Sequence, residues 1–131
     1  MSNTLLNRIH HIAILCSDYQ KSKDFYTNIL GLGVIKETYR QERQSYKLDL
    51  SLNGEYVIEL FSFADPPPRL TRPEATGLRH IAFEVDTINS VVERLKESGV
   101  VAEPIRIDEI TGKQFTFIFD PDNLPIELYG K

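Results

Sequence analysis

The stretch His11-Ile12-Ala13-Ile14 returns 69 residues later as His80-Ile81-Ala82-Phe83. Ile58-Glu59-Leu60-Phe61 returns 68 residues later as Ile126-Glu127-Leu128-Tyr129. The spacing between these landmarks also repeats. Asp18 to Gly31 and Asp86 to Gly99 are both 13 residues, and Gly31 to Glu59 and Gly99 to Glu127 are both 28. Self-similarity at this scale marks an internal repeat, and an internal repeat decides the architecture before any single element does. One residue deleted between His80 and Asp86 accounts for the change of offset.

Each half reads as β-α-β-β-β. Ile9–Cys16 is rich in β-branched residues and reads as a strand. Ser17 followed three residues later by Gln20 fits a capping box, and Ser22, Phe25, Tyr26 and Ile29 form a helical stripe. Gly31 sits where a left-handed cap would end the helix. Val34–Tyr39, Tyr46–Leu52 and Tyr56–Phe63 read as strands, with Asn53-Gly54 as a hairpin turn. In the second half, Leu78–Val85 is a strand and Asp86 a helix cap. Ile88, Val91, Val92 and Leu95 form a stripe closed by Gly99. Val100–Ile107, Gln114–Phe119 and Pro125–Tyr129 complete the module, with a turn at Asp120-Pro121-Asp122-Asn123. Residues 64–76 contain Pro66-Pro67-Pro68 and Pro73, which remove donors and fix φ, so they read as a stiff linker. The expected organisation is one α+β domain over 1–131: module one at 8–63, the linker at 64–76 and module two at 77–131.

Composition bounds the function. The 131 residues suit one domain, and 41% hydrophobic content supplies an ordinary core. Fifteen basic against 19 acidic residues give a net charge of -4. That argues against nucleic acid as a partner and provides no polybasic patch for an anionic membrane. No apolar run is long enough to span a bilayer. Met1–Ile9 is polar and mixed, unlike a signal peptide, so the cytoplasm is the expected compartment. The single cysteine, Cys16, excludes a disulfide within the chain and any multi-cysteine zinc site.

The repeat sets four metal-ligand types at equivalent positions: His11, Glu59, His80 and Glu127. Successive strand residues face opposite ways, so each His shares a face with a small Ala (Ala13, Ala82), away from the bulky Ile12, Ile14, Ile81 and Phe83. Each Glu interrupts an otherwise apolar strand, where an unpartnered carboxylate is costly. One divalent cation with two carboxylates and two neutral imidazoles is formally neutral and satisfies all four groups. A lone His or Glu on a strand is ordinarily structural. A matched pair in both halves requires two such accidents to repeat. His10, whose counterpart is Arg79, reads as a supporting residue.

Other signals are weaker. Gly31-Leu32-Gly33 lacks the context of a dinucleotide fingerprint, and no Walker, His-Glu-x-x-His or Gly-x-Ser-x-Gly sequence is present. Cys16 reads as a buried small hydrophobe and Tyr26 as core. Arg69, Arg72, Arg79 and Lys113 are candidate contacts for an anionic substrate. Phe61, Phe63, Phe117 and Tyr129 fit either an apolar pocket or the core.

With these motifs, together with Gly77-Leu78-Arg79-His80 and Asp120-Pro121-Asp122, the sequence resembles the vicinal oxygen chelate superfamily from Ile9 to Tyr129. Within it the chain looks most like the glyoxalase I (lactoylglutathione lyase) branch, in particular the YaeR-type members. The resemblance implies paired βαβββ modules forming a cupped mixed sheet. It implies His11, Glu59, His80 and Glu127 as ligands to nickel, zinc, cobalt or manganese, with open positions for water or substrate oxygens. It also implies a small-molecule substrate and a homodimer, with modules paired within one chain or between two. Phe63 departs from the branch, which carries Asn there to help hold glutathione.

The chemistry such a site suits is proton abstraction beside a carbonyl, with a metal stabilising the enediolate as a Lewis acid and a carboxylate as base. The resemblance gives that catalytic role to Glu127, with Glu59 as its pseudo-symmetric counterpart. The leading expectation is therefore a metal-dependent isomerase of 2-oxoaldehyde–thiol hemithioacetals. The alternatives are a fosfomycin-resistance-type thiol transferase, an extradiol dioxygenase and a metal-free binding protein of the same fold.

Overall fold

The structure, a computed structural model, describes residues 4–131, so Met1–Asn3 of the Met1–Ile9 stretch lie outside the described residues. The chain divides into two compact units, Met1–Pro66 and Pro67–Lys131. Each is built on a four-stranded mixed sheet. In module one the strands are β1 (Ile12–Cys16), β2 (Gly33–Arg40), β3 (Ser45–Leu52) and β4 (Glu55–Ser62), in the order β1-β4-β3-β2. In module two, β5 (Ile81–Val85), β6 (Arg106–Ile107), β7 (Gln114–Phe119) and β8 (Pro125–Gly130) take the equivalent order β5-β8-β7-β6. The first and last strands of each module pair in parallel and the others antiparallel. The β-α-β-β-β reading of each half thus holds.

The alternation on β1 and β5 follows the sequence pattern. Ile14 and Cys16 are buried while Ala13 and Ala82 are exposed. Leu48, Leu50, Ile58 and Leu60 on β3 and β4 are fully buried beside Tyr26 in the core of module one. Ile118, Ile126 and Ile88 do the same in module two. Each such side chain contributes about 1.5–3 kcal/mol by leaving water. Cys16 is fully buried, and its thiol donates to the Phe61 carbonyl.

The helices correct the sequence reading in an informative way. Helix α1 (Tyr19–Asp24) runs directly into a π-helical turn at Phe25–Ile29, closed by the Leu30 N–H donating to the Phe25 carbonyl at 2.9 Å. Its module-two counterpart, α2 (Ile88–Glu97), is plain α-helix. Asp18 caps α1 by accepting from the Lys21 N–H, in place of the expected Ser17, and the N-cap of α2 is Thr87, in place of Asp86. These caps are 69 residues apart, whereas the left-handed glycines that follow the helices, Gly31 (φ 84°) and Gly99 (φ 83°), are 68 apart. The change of offset therefore falls inside the helix and not between His80 and Asp86. Module one carries one more helical residue and accommodates it as a π-turn, the usual form of such a local insertion.

Three strands, β1, β5 and β6, are shorter than the sequence implies. Pairing of β1 begins at Ile12 and of β5 at Ile81, which leaves His11 and His80 one residue ahead of their strands. Val100–Ile105 is irregular, and only Arg106–Ile107 pairs as β6. Pro104, which has no N–H to donate, lies in the irregular part. Asn53 (φ 51°) and Gly54 (φ 86°) form the hairpin turn between β3 and β4, both in the left-handed region that a two-residue primed turn requires.

Candidate functional site

The two modules place their His and Glu in the same way. Glu59 lies on β4 opposite Ala13 of β1, and Glu127 on β8 opposite Ala82 of β5. A small residue on the neighbouring strand leaves space above each carboxylate, and the His one residue before that strand reaches over it. His11 Nε2 stands 3.7 Å from Glu59 Oε1, and His80 Nε2 3.3 Å from Glu127 Oε1. Both carboxylates are largely buried, with side chains 14% and 17% exposed. The structure thus brings His11 to Glu59 and His80 to Glu127, one pair in each module. Among the described residues, no group of three or more His, Cys, Asp or Glu side chains is gathered so as to hold a metal.

The surroundings of the two pairs differ. On β3, Asp49 lies directly opposite Glu59. Lys47 Nζ is 2.9 Å from Asp49 Oδ1 and 3.3 Å from Glu59 Oε2. The Tyr56 hydroxyl, facing both carboxylates, lies 2.9 Å from Asp49 Oδ1 and 3.0 Å from Glu59 Oε2. Its ring stacks on His11 with centroids 5.0 Å apart. Burial works to raise the Asp49 carboxyl, but the hydrogen bonds from Lys47 and Tyr56 outweigh it and hold it below the usual carboxylate range. The bond to Asp49 raises the Lys47 ammonium, against the effect of burial. Burial and then the two carboxylates push the Tyr56 phenol up. In module two the matching positions are Phe115, Phe117 and Leu124. Phe117 lies opposite Glu127 and meets the His80 ring edge-on at 5.2 Å.

Sequence reasoning missed the Lys47–Asp49–Tyr56 network. Alternation puts Lys47 and Asp49 on one face of β3, which was a usable signal. Tyr56 was not legible in that way. The register passes from Leu50↔Ile58 to Ser51↔Tyr56, so Val57 is an extra residue on β4. Such a bulge disrupts strict alternation, and it brings Tyr56 to the side of Glu59. His10 supports His11: their Nδ1 atoms are 2.9 Å apart, and His10 also packs edge-on against Tyr56.

The donor set suits a divalent metal of the borderline kind, with imidazole nitrogen and carboxylate oxygen and no thiolate. Two donors ~2.1 Å from one ion stand ~3.0–3.4 Å apart, close to the two N···O separations. In module one, His11 can donate from Nδ1 to His10 and keep the Nε2 lone pair for a metal. In module two, Arg79 Nη1 lies 3.0 Å from His80 Nδ1. A guanidinium only donates, so Nδ1 accepts there and the ring proton sits on Nε2. Ligation through Nε2 requires Arg79 to release Nδ1.

Of the other candidate residues, Arg69 donates to the carbonyls of Leu78 and Arg79 at the approach to β5. Lys113 is exposed next to β7. Phe61 and Phe63 stack with ring centroids 6.0 Å apart, and the Arg40 guanidinium lies 4.7 Å above Phe61. Tyr129 donates to Asp108 Oδ2.

Two modules with the same element order and matched strand registers define a known class. The chain belongs to the Glyoxalase/Bleomycin resistance protein/Dioxygenase superfamily, whose family model matches residues 8–128. More particularly, it is 68% identical over 125 residues to YwkD of Bacillus subtilis, covering 95% of this chain and 98% of that protein. It is 56% identical over 124 residues to YaeR of Escherichia coli, covering 95% and 96%. A crystal structure of a glyoxalase family protein from Enterococcus faecalis superposes with a TM-score of 0.88 at 46% identity, covering 96% of this chain and 99% of that one. More distant relatives have named activities. Lactoylglutathione lyase of E. coli O157:H7 is 31% identical over 92% of this chain and 90% of its own. Human mitochondrial methylmalonyl-CoA epimerase is 30% identical over 89% and 69%. The fosfomycin resistance protein FosX of Listeria monocytogenes, crystallised with Mn(II), shares the fold at 22% identity and a TM-score of 0.74. Among the described residues no helix is long and apolar enough to cross a membrane.

Proposed function

We propose that the chain is a metal-dependent glyoxalase I-like lyase (isomerase) that moves a proton between adjacent carbons of a 2-oxoaldehyde–thiol hemithioacetal. The observation that carries this reading is the doubled His–Glu pair: the same two residue types, at the same strand register, with N···O separations of 3.7 and 3.3 Å. His11, Glu59, His80 and Glu127 would hold a nickel, zinc, cobalt or manganese ion, in a dimer or within one chain. Such an ion, when bound, supplies Lewis-acid stabilisation of negative charge on the substrate's oxygens. The chain's own residues supply the rest. Glu127 is the base: it takes the proton from the carbon bearing the thiol and returns it to the former carbonyl carbon. The ground for choosing Glu127 over Glu59 is the asymmetry around them. Glu59 is engaged through Oε2 by Lys47 Nζ at 3.3 Å and by the Tyr56 hydroxyl at 3.0 Å, which hold it in place. Glu127 lies opposite Ala82 and Phe117 with His80 Nε2 3.3 Å away, and Phe115 and Leu124 stand where module one has Lys47 and Tyr56.

Position 63 favours a second reading on the same chemistry. Phe63 offers a ring stacked on Phe61 and no amide, which fits poorly with glutathione. The relationship to an epimerase points to proton abstraction beside the carbonyl of a different acyl or oxo compound. The purified protein, loaded in turn with nickel, zinc, cobalt and manganese, would be assayed on methylglyoxal–glutathione hemithioacetal. Turnover with any of these metals supports the first reading. No turnover with any of them removes it. Exchange of the α-proton of an acyl thioester in D2O would then support the second.

A further inference from the structure

Module two contains a cleft of about 440 Å³ to which the proposed reaction assigns no ligand. Arg72, Arg79, Arg106, Glu103, Phe117 and Phe119 form most of its lining. Each guanidinium lies over an aromatic ring: Arg72 over Phe119 at 5.5 Å, Arg79 over Phe117 at 5.8 Å and Arg106 over Phe115 at 5.1 Å. Stacking constrains the plane of a guanidinium and leaves its N–H edges available for in-plane bonds. The carboxylates present occupy few of those donors. Glu103 takes one nitrogen from Arg72 (3.4 Å) and one from Arg106 (3.0 Å), Glu74 takes Nε of Arg79 at 2.8 Å, and Arg79 Nη1 is already engaged with His80 Nδ1 at 3.0 Å, which leaves its Nη2 edge. Three arginines against Glu74 and Glu103 leave a local positive excess in a chain whose net charge is -4. Phe117 forms both the cleft wall and the edge-on contact with His80.

We infer that this cleft is an oxyanion site that fixes a carboxylate or phosphoryl group of the ligand beside the His80–Glu127 pair. A forked, stacked arginine matches the two oxygens of such a group in one plane. The substrate class is thereby narrowed to compounds that carry an anionic group a few bonds from the reacting carbon. That placement rests on the metalloenzyme reading, but occupancy of the cleft does not.

The test uses metal-free full-length protein, so it stands or falls apart from the metal site. Succinate, methylphosphonate and neutral succinamide are titrated while the arginine Nε–H signals are followed by NMR. Saturable shifts at Arg72, Arg79 and Arg106 with succinate identify a carboxylate site. The same shifts with methylphosphonate identify a phosphoryl site. In either case succinamide is silent and added salt weakens binding. Arg72→Ala combined with Arg106→Ala weakens the responding anion about tenfold or more, through lost charge-assisted bonds. Glu103→Gln, which removes a competing carboxylate, tightens it several-fold, a gain that a misfolded variant cannot produce. Absence of shifts with both anions overturns the inference, as does an affinity unchanged by Glu103→Gln.

Discussion

The Tyr56 hydroxyl lies 3.0 Å from Oε2 of Glu59, placed there by the bulge at Val57. Module two repeats the carboxylate as Glu127 but replaces the tyrosine with Leu124 and the neighbouring Lys47 with Phe115. A symmetric pair of ligand-type residues is thus embedded in asymmetric surroundings, and the proposed division of roles between the two glutamates rests on that asymmetry.

The first prediction concerns catalysis. Glu127→Gln keeps the shape of the side chain and removes the proposed base, so turnover should fall by about 10²–10⁴-fold while the fold is retained. Tyr56→Phe leaves Glu127 untouched and removes one donor to Glu59. It should lower stability by about 0.5–1.5 kcal/mol with a far smaller loss of rate. Rate assays beside urea unfolding of both variants check the contrast.

Lys47 ties Asp49 to Glu59 on a mostly buried patch of β3 and β4. Lys47→Met keeps the stem and deletes the charge, leaving two carboxylates without their cation. The expected cost is about 1–3 kcal/mol at neutral pH, read by urea denaturation.

The same network gives a pH dependence with a definite sign. The folded Asp49 carboxyl is held below its unfolded value of about 3.9. Its contribution is therefore complete above that value and is lost as pH falls through the lower, folded value. Lys47→Met removes a main cause of the depression, so acid unfolding should begin at higher pH than in the wild type. Circular dichroism along an acid titration tests this.

Arg79 predicts an increase rather than a loss. Its guanidinium occupies His80 Nδ1 and keeps the ring proton on Nε2, the atom a metal needs. Arg79→Gln frees Nδ1 and should tighten divalent-metal binding by roughly tenfold, the worth of one charge-assisted hydrogen bond. Competition with a chromogenic chelator measures it. Unchanged affinity would show that His80 does not use Nε2.

Much of this was legible in the sequence because a repeat is read twice. The strands, the glycine caps and the Asn53-Gly54 turn carry local signals, and matched spacings made the β-α-β-β-β order and the equivalence of His11 with His80 legible, so that each half checked the other. What escaped reading was local irregularity. The π-turn at Phe25–Ile29 absorbs an extra residue without leaving a gap in the hydrophobic stripe, so the offset alone could not locate it. The bulge at Val57 shifts Tyr56 out of simple alternation. The arginine cleft draws on the linker region, the approach to β5 and β6, whose proximity no periodicity encodes. Val100–Ile105 looked like a strand by its branched residues, but most of that stretch remains unpaired.

On the proposed function the two His–Glu pairs serve one metal ion. Elemental analysis of the purified protein, before and after single His11→Ala and His80→Ala substitutions in separate variants, tests it most directly. The account predicts one equivalent of divalent metal per chain in the wild type, lost when either histidine is removed. A wild type without stoichiometric metal after exposure to nickel, zinc, cobalt and manganese would contradict it. So would a His11→Ala or His80→Ala variant that still holds its full equivalent.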